Sequence, residues 1–334
     1  MLNTFIRMKY AFFILCTCIL LSNDSFAQQI PAQEENIPYL VTFGRDGEKS
    51  WGDDDFSQTF FFVIPRFQVQ PIYIRVFDPE TSGANDEKKG EYNTKTKFSI
   101  YGGKTCFTAI DARSNEPIGS YKSGNLLASK NFGTESIYDN EWYTFGPFNP
   151  SEGEFVEEYG GTIFKIIAEG VLGDDGNLYR YFLSSSPTEN KVVEGGNAFT
   201  YEYTFRLTDN PNTVAHLYPY VDEDVLSVKI SNFDFDNDGK INIVSIIKNN
   251  EFSAPSGENV WAFSEHKIVE KEKQTTLDIQ FIKNKNEPMK NNNVTLFVTN
   301  QYGALLPVCT VPIGGTSNRN YKINFKEKKK TTPY

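Results

Sequence analysis

The segment Asp234-Phe235-Asp236-Asn237-Asp238-Gly239-Lys240-Ile241-Asn242 carries the most specific chemistry in the chain. Three carboxylates at alternate positions, closed by a glycine, let a tight loop turn hard oxygen donors towards one cation. Asp234, Asp236 and Asp238 would ligate through their side chains, Lys240 through its carbonyl, and Asn242 directly or through a water. Gly239 permits the sharp turn. Oxygen ligands in this order select calcium.

These nine residues resemble the D-x-D-x-D-G calcium loops of EF-hands, dockerins, thrombospondin type 3 repeats and FG-GAP repeats. The likeness is confined to the loop and implies a metal site, not a whole-chain family. It departs from the EF-hand at the twelfth position, where Ser245 stands in place of a bidentate glutamate. Asp222, Glu223 and Asp224, just upstream, are the carboxylates available to complete the shell. The missing glutamate implies a Kd of about 10⁻⁴ to 10⁻³ M, which suits a staple in a calcium-rich medium and not a sensor.

Two further stretches are acidic. One holds Asp46, Glu48, Asp53, Asp54 and Asp55, the other Asp78, Glu80, Asp86 and Glu87. Consecutive side chains in an extended chain point to opposite sides. The expectation is therefore that Asp53 and Asp55, not all three aspartates, face an ion, helped by Asp46 or Glu48. If the two loops meet at one end of a sheet sandwich they share a calcium; otherwise they are solvated. Gly173-Asp174-Asp175-Gly176-Asn177 reads as a hairpin turn.

Enzymatic signatures are missing. His216 and His266 lie far apart and outside any HExxH pattern, and there is no Gly-x-Ser-x-Gly elbow, P-loop or Gly-x-Gly-x-x-Gly. A carboxylate pair for glycoside cleavage leaves no local signature. Trp51, Trp142, Tyr143 and Trp261 are rings able to stack on a sugar.

The elements that must hold these groups read as strands. Thr94–Tyr101 puts Thr96, Phe98 and Ile100 on one face, and Ala198–Leu207 puts Phe199, Tyr201, Tyr203 and Phe205 on one face. Other candidates are Tyr39–Phe43, Thr59–Ile64, Ile72–Phe77, Ile163–Glu169 and Leu178–Leu183. Later come Val225–Ile230, Ile241–Ile246, Val260–His266, Leu277–Ile282, Val294–Thr299 and Tyr321–Phe325. Helical signals are confined to a turn or two in Ser123–Phe132 and Glu152–Tyr159. The expected fold is all-β: two antiparallel β-sandwich domains, jelly-roll-like over 28–208 and immunoglobulin-like over 213–326, parted by Thr208-Asp209-Asn210-Pro211-Asn212.

At the start, Arg7 and Lys9 precede the apolar run Ala11–Leu21, and Ser25-Phe26-Ala27 follows as a cleavage signature. Residues 1–27 are read as a signal peptide, its apolar run too short for the roughly 20 residues a membrane helix needs. Net charge is −10 at pH 7, which disfavours nucleic acid. The basic cluster Lys326, Lys328, Lys329 and Lys330 leads into the tail 327–334, read as a solvated end. Cys16 and Cys18 fall in the leader, which leaves Cys106 and Cys309, expected as buried thiols and not a disulfide scaffold. The expectation is a secreted or periplasmic binding or adhesion protein, free or held at the cell surface. Calcium would stabilise it, and a cell-surface protein or glycan would be its partner, with no transmembrane segment in the mature chain. A secreted, glycosidase-like hydrolase using paired carboxylates is the alternative.

Overall fold

The computed structural model of the protein describes residues 29–249, 251–284 and 292–314. The leader 1–27, the tail 327–334 and the strand expected at Tyr321–Phe325 lie outside the described residues. Within them the regular structure is strand and short 3-10 turn, with no α-helix. The strands of the first half are β1 (Tyr39–Phe43), β2 (Ser57–Pro65), β3 (Ile72–Phe77), β4 (Lys95–Gly102), β5 (Asn125–Phe132), β6 (Trp142–Phe148), β7 (Glu154–Val156), β8 (Gly161–Leu172), β9 (Gly176–Ser184), β10 (Asn197–Thr200) and β11 (Glu202–Arg206). Those of the second half are β12 (Ala215–Val221), β13 (Ser227–Phe233), β14 (Gly239–Val244), β15 (Glu251–Ser253), β16 (Trp261–Lys267), β17 (Thr275–Thr276), β18 (Asp278–Lys283), β19 (Asn293–Asn300) and β20 (Val308–Cys309).

These strands form two large antiparallel sheets that do not close into a barrel, as an all-β reading expects. The eight-stranded sheet runs β16-β13-β19-β11-β1-β9-β3-β6, and the longer one runs β15-β14-β18-β12-β20-β10-β2-β8-β4-β5 with β17 and β7 attached. Each sheet takes strands from both sides of the 208–212 break: β11 pairs with β19, and β20 lies between β10 and β12.

The core fills the space between the sheets. Phe60 of the long sheet meets Tyr181 and Tyr203 of the other at ring-centroid distances of 4.7 and 5.3 Å, and Phe205 meets Phe281 at 5.4 Å. A second cluster lines the other face of the long sheet, where Phe61, Phe199, Tyr201, Tyr218 and Tyr220 are covered by Phe107 and Tyr159. Edge-to-face ring pairs of this kind add about 0.5–1.5 kcal/mol beyond the area they bury.

Two expectations are corrected. Ser123–Phe132 holds strand β5 and no helical turn: it pairs with β4 at the sheet edge, so both its faces are partly wet and its sequence lacks a period of two. Ala198–Leu207 is not one strand. The chain leaves the long sheet after Thr200 and enters the other at Glu202, so Phe199 and Tyr201 join the second cluster while Tyr203 and Phe205 join the main core. Thr200 fixes the crossover, its hydroxyl donating to the carbonyls of Thr59 and Glu202.

Candidate functional site

The Asp234–Asn242 loop joins β13 to β14. Asp234, Asp236 and Asn237 have φ of 59°, 53° and 58°, a run of left-handed residues that short polar side chains tolerate best. Phe235 anchors the turn in the core, 5.2 Å from the Phe281 ring. The Phe235 N–H donates to Ser256 Oγ and the Asn237 N–H to the Ser256 carbonyl, both at 2.8 Å. Asp234 Oδ1 accepts from the Asn259 N–H. Lys240 and Asn242 belong to strand β14, whose Ile241 and Ile243 face the core. The two polar residues therefore point the other way, Asn242 donating to Gln280 Oε1 at 3.0 Å and Lys240 lying over the Phe252 ring. Asp234, Asp236 and Asp238 do not form a group whose carboxylate oxygens gather within 4.8 Å of one another.

Two other acidic groups do gather to that degree among the described residues. The first is Asp78, Glu80 and Asp139. The 78–86 loop follows β3, and Asp139 comes from the 133–141 loop between β5 and β6. Gly83 makes the approach feasible: its φ is 80°, and a Cβ there would stand 2.4 Å from Asp139 Oδ1. Asp78 accepts from Asn85 Nδ2 at 2.6 Å and from the Asn140 N–H at 2.8 Å. Asp86 backs the group, accepting from the N–H groups of Leu178 and Ser82. Burial, reinforced by neighbouring carboxylates, lifts Glu80 to about 7 and Asp86 to about 9. Thr81 Oγ1 and Asn177 Oδ1 are fully buried and without a hydrogen-bond partner, and Asn177 Nδ2 donates to the Pro79 carbonyl between Asp78 and Glu80.

The second group is Asp53, Asp54 and Asp55, which corrects the expectation that three consecutive aspartates cannot converge. The chain is not extended here: φ is 93° at Gly52 and 61° at Phe56, and the turn folds the three side chains together. Asp53 is fully buried and accepts from the N–H groups of Phe43 at 2.7 Å and Phe56 at 2.9 Å. Asp46 and Glu48 do not join; they accept from the Gly173 N–H and from Ser50. No group draws on both acidic loops, and Glu87 is taken up by Arg206, Lys89 and Asn293.

Sequence reasoning missed Glu202. The crossover after Thr200 places it beside the aspartates, where burial and then the charges of Asp54, Asp55 and Asp53 hold its carboxyl well above the usual range. Burial likewise lifts Asp53 to about 7 and Asp54 to about 6. Asp55 and Glu202 line a small cleft with Ser114, Asn115, Glu116 and Tyr121.

An aromatic row approaches this cleft. The strand register aligns Phe263 of β16, Ser231 of β13, Phe297 of β19 and Glu202 of β11 across the outer face of the eight-stranded sheet. Trp261 flanks the row, 4.9 Å from the Phe297 ring, and is 37% exposed while Phe263 is 58% exposed. The other expected stacking rings are covered: Trp51 lies under Lys89 and against Phe43, Trp142 lies under Arg75, and Tyr143 sits among Phe132, Tyr138 and Phe145.

The histidines stay apart. His216 Nδ1 is 2.9 Å from Asp278, and His266, its pKa lowered by burial, is 3.6 Å from Glu251. Cys106 and Cys309 are buried free thiols, and burial pushes Cys106 up to about 12. Among the described residues no helix is long and apolar enough to cross a membrane. The chain matches no protein-family model, and no curated protein is significantly similar to it.

Proposed function

We propose that the protein is an exported β-sandwich binding protein of the adhesion type, stabilised by calcium, whose partner is a glycan or protein at or outside the cell surface. The observation that carries this reading is the aromatic row of Trp261, Phe263 and Phe297 on the outer sheet face, in which Trp261 and Phe263 are exposed and Lys229 lies over the Phe263 ring. Exposed rings clustered on a rigid sheet mark an interaction surface, and flat rings interleaved with polar groups suit a sugar face. The mature chain is to be tested on a glycan array and against cell-surface fractions. Trp261→Ala with Phe263→Ala should weaken whatever is captured by tenfold or more, about 1.4 kcal/mol, at unchanged stability. Capture that ignores both substitutions would remove the row from the function.

Calcium is supported by the acceptor-only chemistry of Asp78, Glu80 and Asp139. Among the described residues none of the three, nor Asp86, is in an ion pair with lysine or arginine, and the buried oxygens of Thr81 and Asn177 have no hydrogen-bond partner. The Asp234–Asn242 loop is the other candidate. A cation that binds the native state alone adds about 1.4 kcal/mol at ten times its Kd, a few degrees of melting temperature. Metal-stripped protein should therefore melt higher in millimolar calcium. Loss of that shift in Asp139→Asn assigns the staple to the first group; loss in Asp236→Ala assigns it to the loop. Identical melting with and without calcium would exclude both.

The hydrolase reading rests on one observation, that Asp55 and Glu202 share a cleft and both have raised pKa values. Turnover of any polysaccharide by wild type and not by Glu202→Gln would favour it over a purely binding role.

A further inference from the structure

The Asp53–Asp55 turn brings three carboxyl groups within 4.8 Å of one another, and the crossover residue Glu202 lies outside that group but near enough to feel its charge. Among the described residues none of the four is in an ion pair with lysine or arginine. Their existing bonds divide the labour. Asp53 accepts one N–H on each oxygen, from Phe43 and Phe56, which leaves a lone pair free on each. Asp55 Oδ1 accepts from the Ser57 N–H at 2.9 Å, while its Oδ2 meets only the Ser57 hydroxyl at 3.3 Å. Glu202 Oε2 receives one long bond, 3.4 Å from Asn115 Nδ2.

Asp54 provides the independent observation. The residue is 9% exposed, and its Oδ1 is shielded from solvent and has no hydrogen-bond partner. Its carboxylate lies with those of Asp53 and Asp55 and is the nearest in effect to Glu202. An anionic oxygen left buried without a donor costs more than a neutral one and calls for a cation or a proton.

We infer that Asp53, Asp54 and Asp55, with Glu202 nearby, form a binding site for a hard divalent cation beside the cleft that Asp55 lines. Carboxylate oxygens without nitrogen or sulfur donors suit calcium, with magnesium or manganese as weaker alternatives. Three protein carboxylates leave coordination positions to be filled from the cleft side, where Ser114, Asn115 and Glu116 add oxygens. The raised carboxyl pKa values agree with this, since a cation would relieve the repulsion that now opposes ionisation. The site is separate from both calcium candidates above and does not depend on the binding function.

Terbium is the probe, because Trp51 stands two residues from Asp53 and can sensitise its luminescence. The metal-stripped mature chain should show terbium emission that calcium displaces. Asp54→Asn combined with Asp55→Asn should weaken the Trp-sensitised binding by tenfold or more, whereas Asp139→Asn and Asp236→Ala should leave it in place. Unchanged terbium affinity and stoichiometry in a folded double variant would overturn the site. Wild-type crystals soaked in terbium give a reading that needs no variant. An anomalous peak about 2.3–2.6 Å from oxygens of Asp53, Asp54 and Asp55 is expected. Peaks elsewhere with none here would mean that the carboxyl groups share protons instead, and the inference fails.

Discussion

Phe205→Ala is expected to destabilise the protein by about 3–5 kcal/mol and to do so in a single transition. The ring is fully buried on β11, 5.7 Å from Tyr203 in its own strand and 5.4 Å from Phe281 in the facing sheet. Phe281 in turn meets Phe235 of the β13–β14 turn, so the cavity would open where residues from both sides of the 208–212 break meet. The strand itself is bonded on one side to β1 and on the other to β19. Damage there should spread to both halves. Denaturant unfolding followed by tryptophan fluorescence and by circular dichroism should give coincident curves, both shifted in the variant. Two transitions, with one unmoved, would show that the halves unfold independently.

Glu35→Gln should gain stability relative to wild type as pH rises, by about 1–3 kcal/mol. Glu35 ends a 3-10 turn and is 3% exposed; the Tyr203 hydroxyl donates to its Oε2 at 3.2 Å, and Oε1 is buried without a partner. Burial raises its pKa well above the usual value, with the Tyr203 bond pulling the other way and Glu34 adding to the rise. The native carboxyl therefore holds its proton where the unfolded one, at about 4.3, has lost it. Because the native state binds the extra proton, this contribution is complete below the unfolded value and fades as pH climbs through the native one. The stability of wild type relative to Glu35→Gln should accordingly fall with rising pH, and the amide should overtake it on the alkaline side. Parallel stability curves across that range would show that the group ionises freely.

Tyr39–Phe43 and Ile72–Phe77 coincide with β1 and β3 because short runs of aromatic and β-branched residues bounded by polar turns read as strands even where most of their residues are buried. Strand β12 left no such trace, since Pro219 reads as a break. It is accommodated where the neighbouring strands β17 and β20 are only two residues long. The crossover at Tyr201 was invisible for another reason: both sheets offer an apolar face, so alternation continues across the switch. The gathered acidic groups were illegible because sequence spacing does not encode them. Glu202 reaches the aspartates through that crossover, and Asp139 reaches Asp78 through a loop two strands further on. The D-x-D-x-D-G spacing, conversely, was conspicuous, yet Lys240 and Asn242 are drawn into the β14 ladder, which has its own demands on their backbone.

The wedging of β19 between β11 and β13, and of β20 between β10 and β12, sets a condition on the order of events when the chain is made. A polypeptide emerges amino end first, but here the interior positions of both sheets are filled by residues that emerge late. The eight-stranded sheet is interrupted until Asn300 is out, and the long one until Cys309 follows. Pairings of such long sequence separation are slow to form, because loop closure must come before the contacts that reward it. A nascent chain of this design thus has no early resting point as a finished half-molecule. Neither sheet can be closed until those late strands are available.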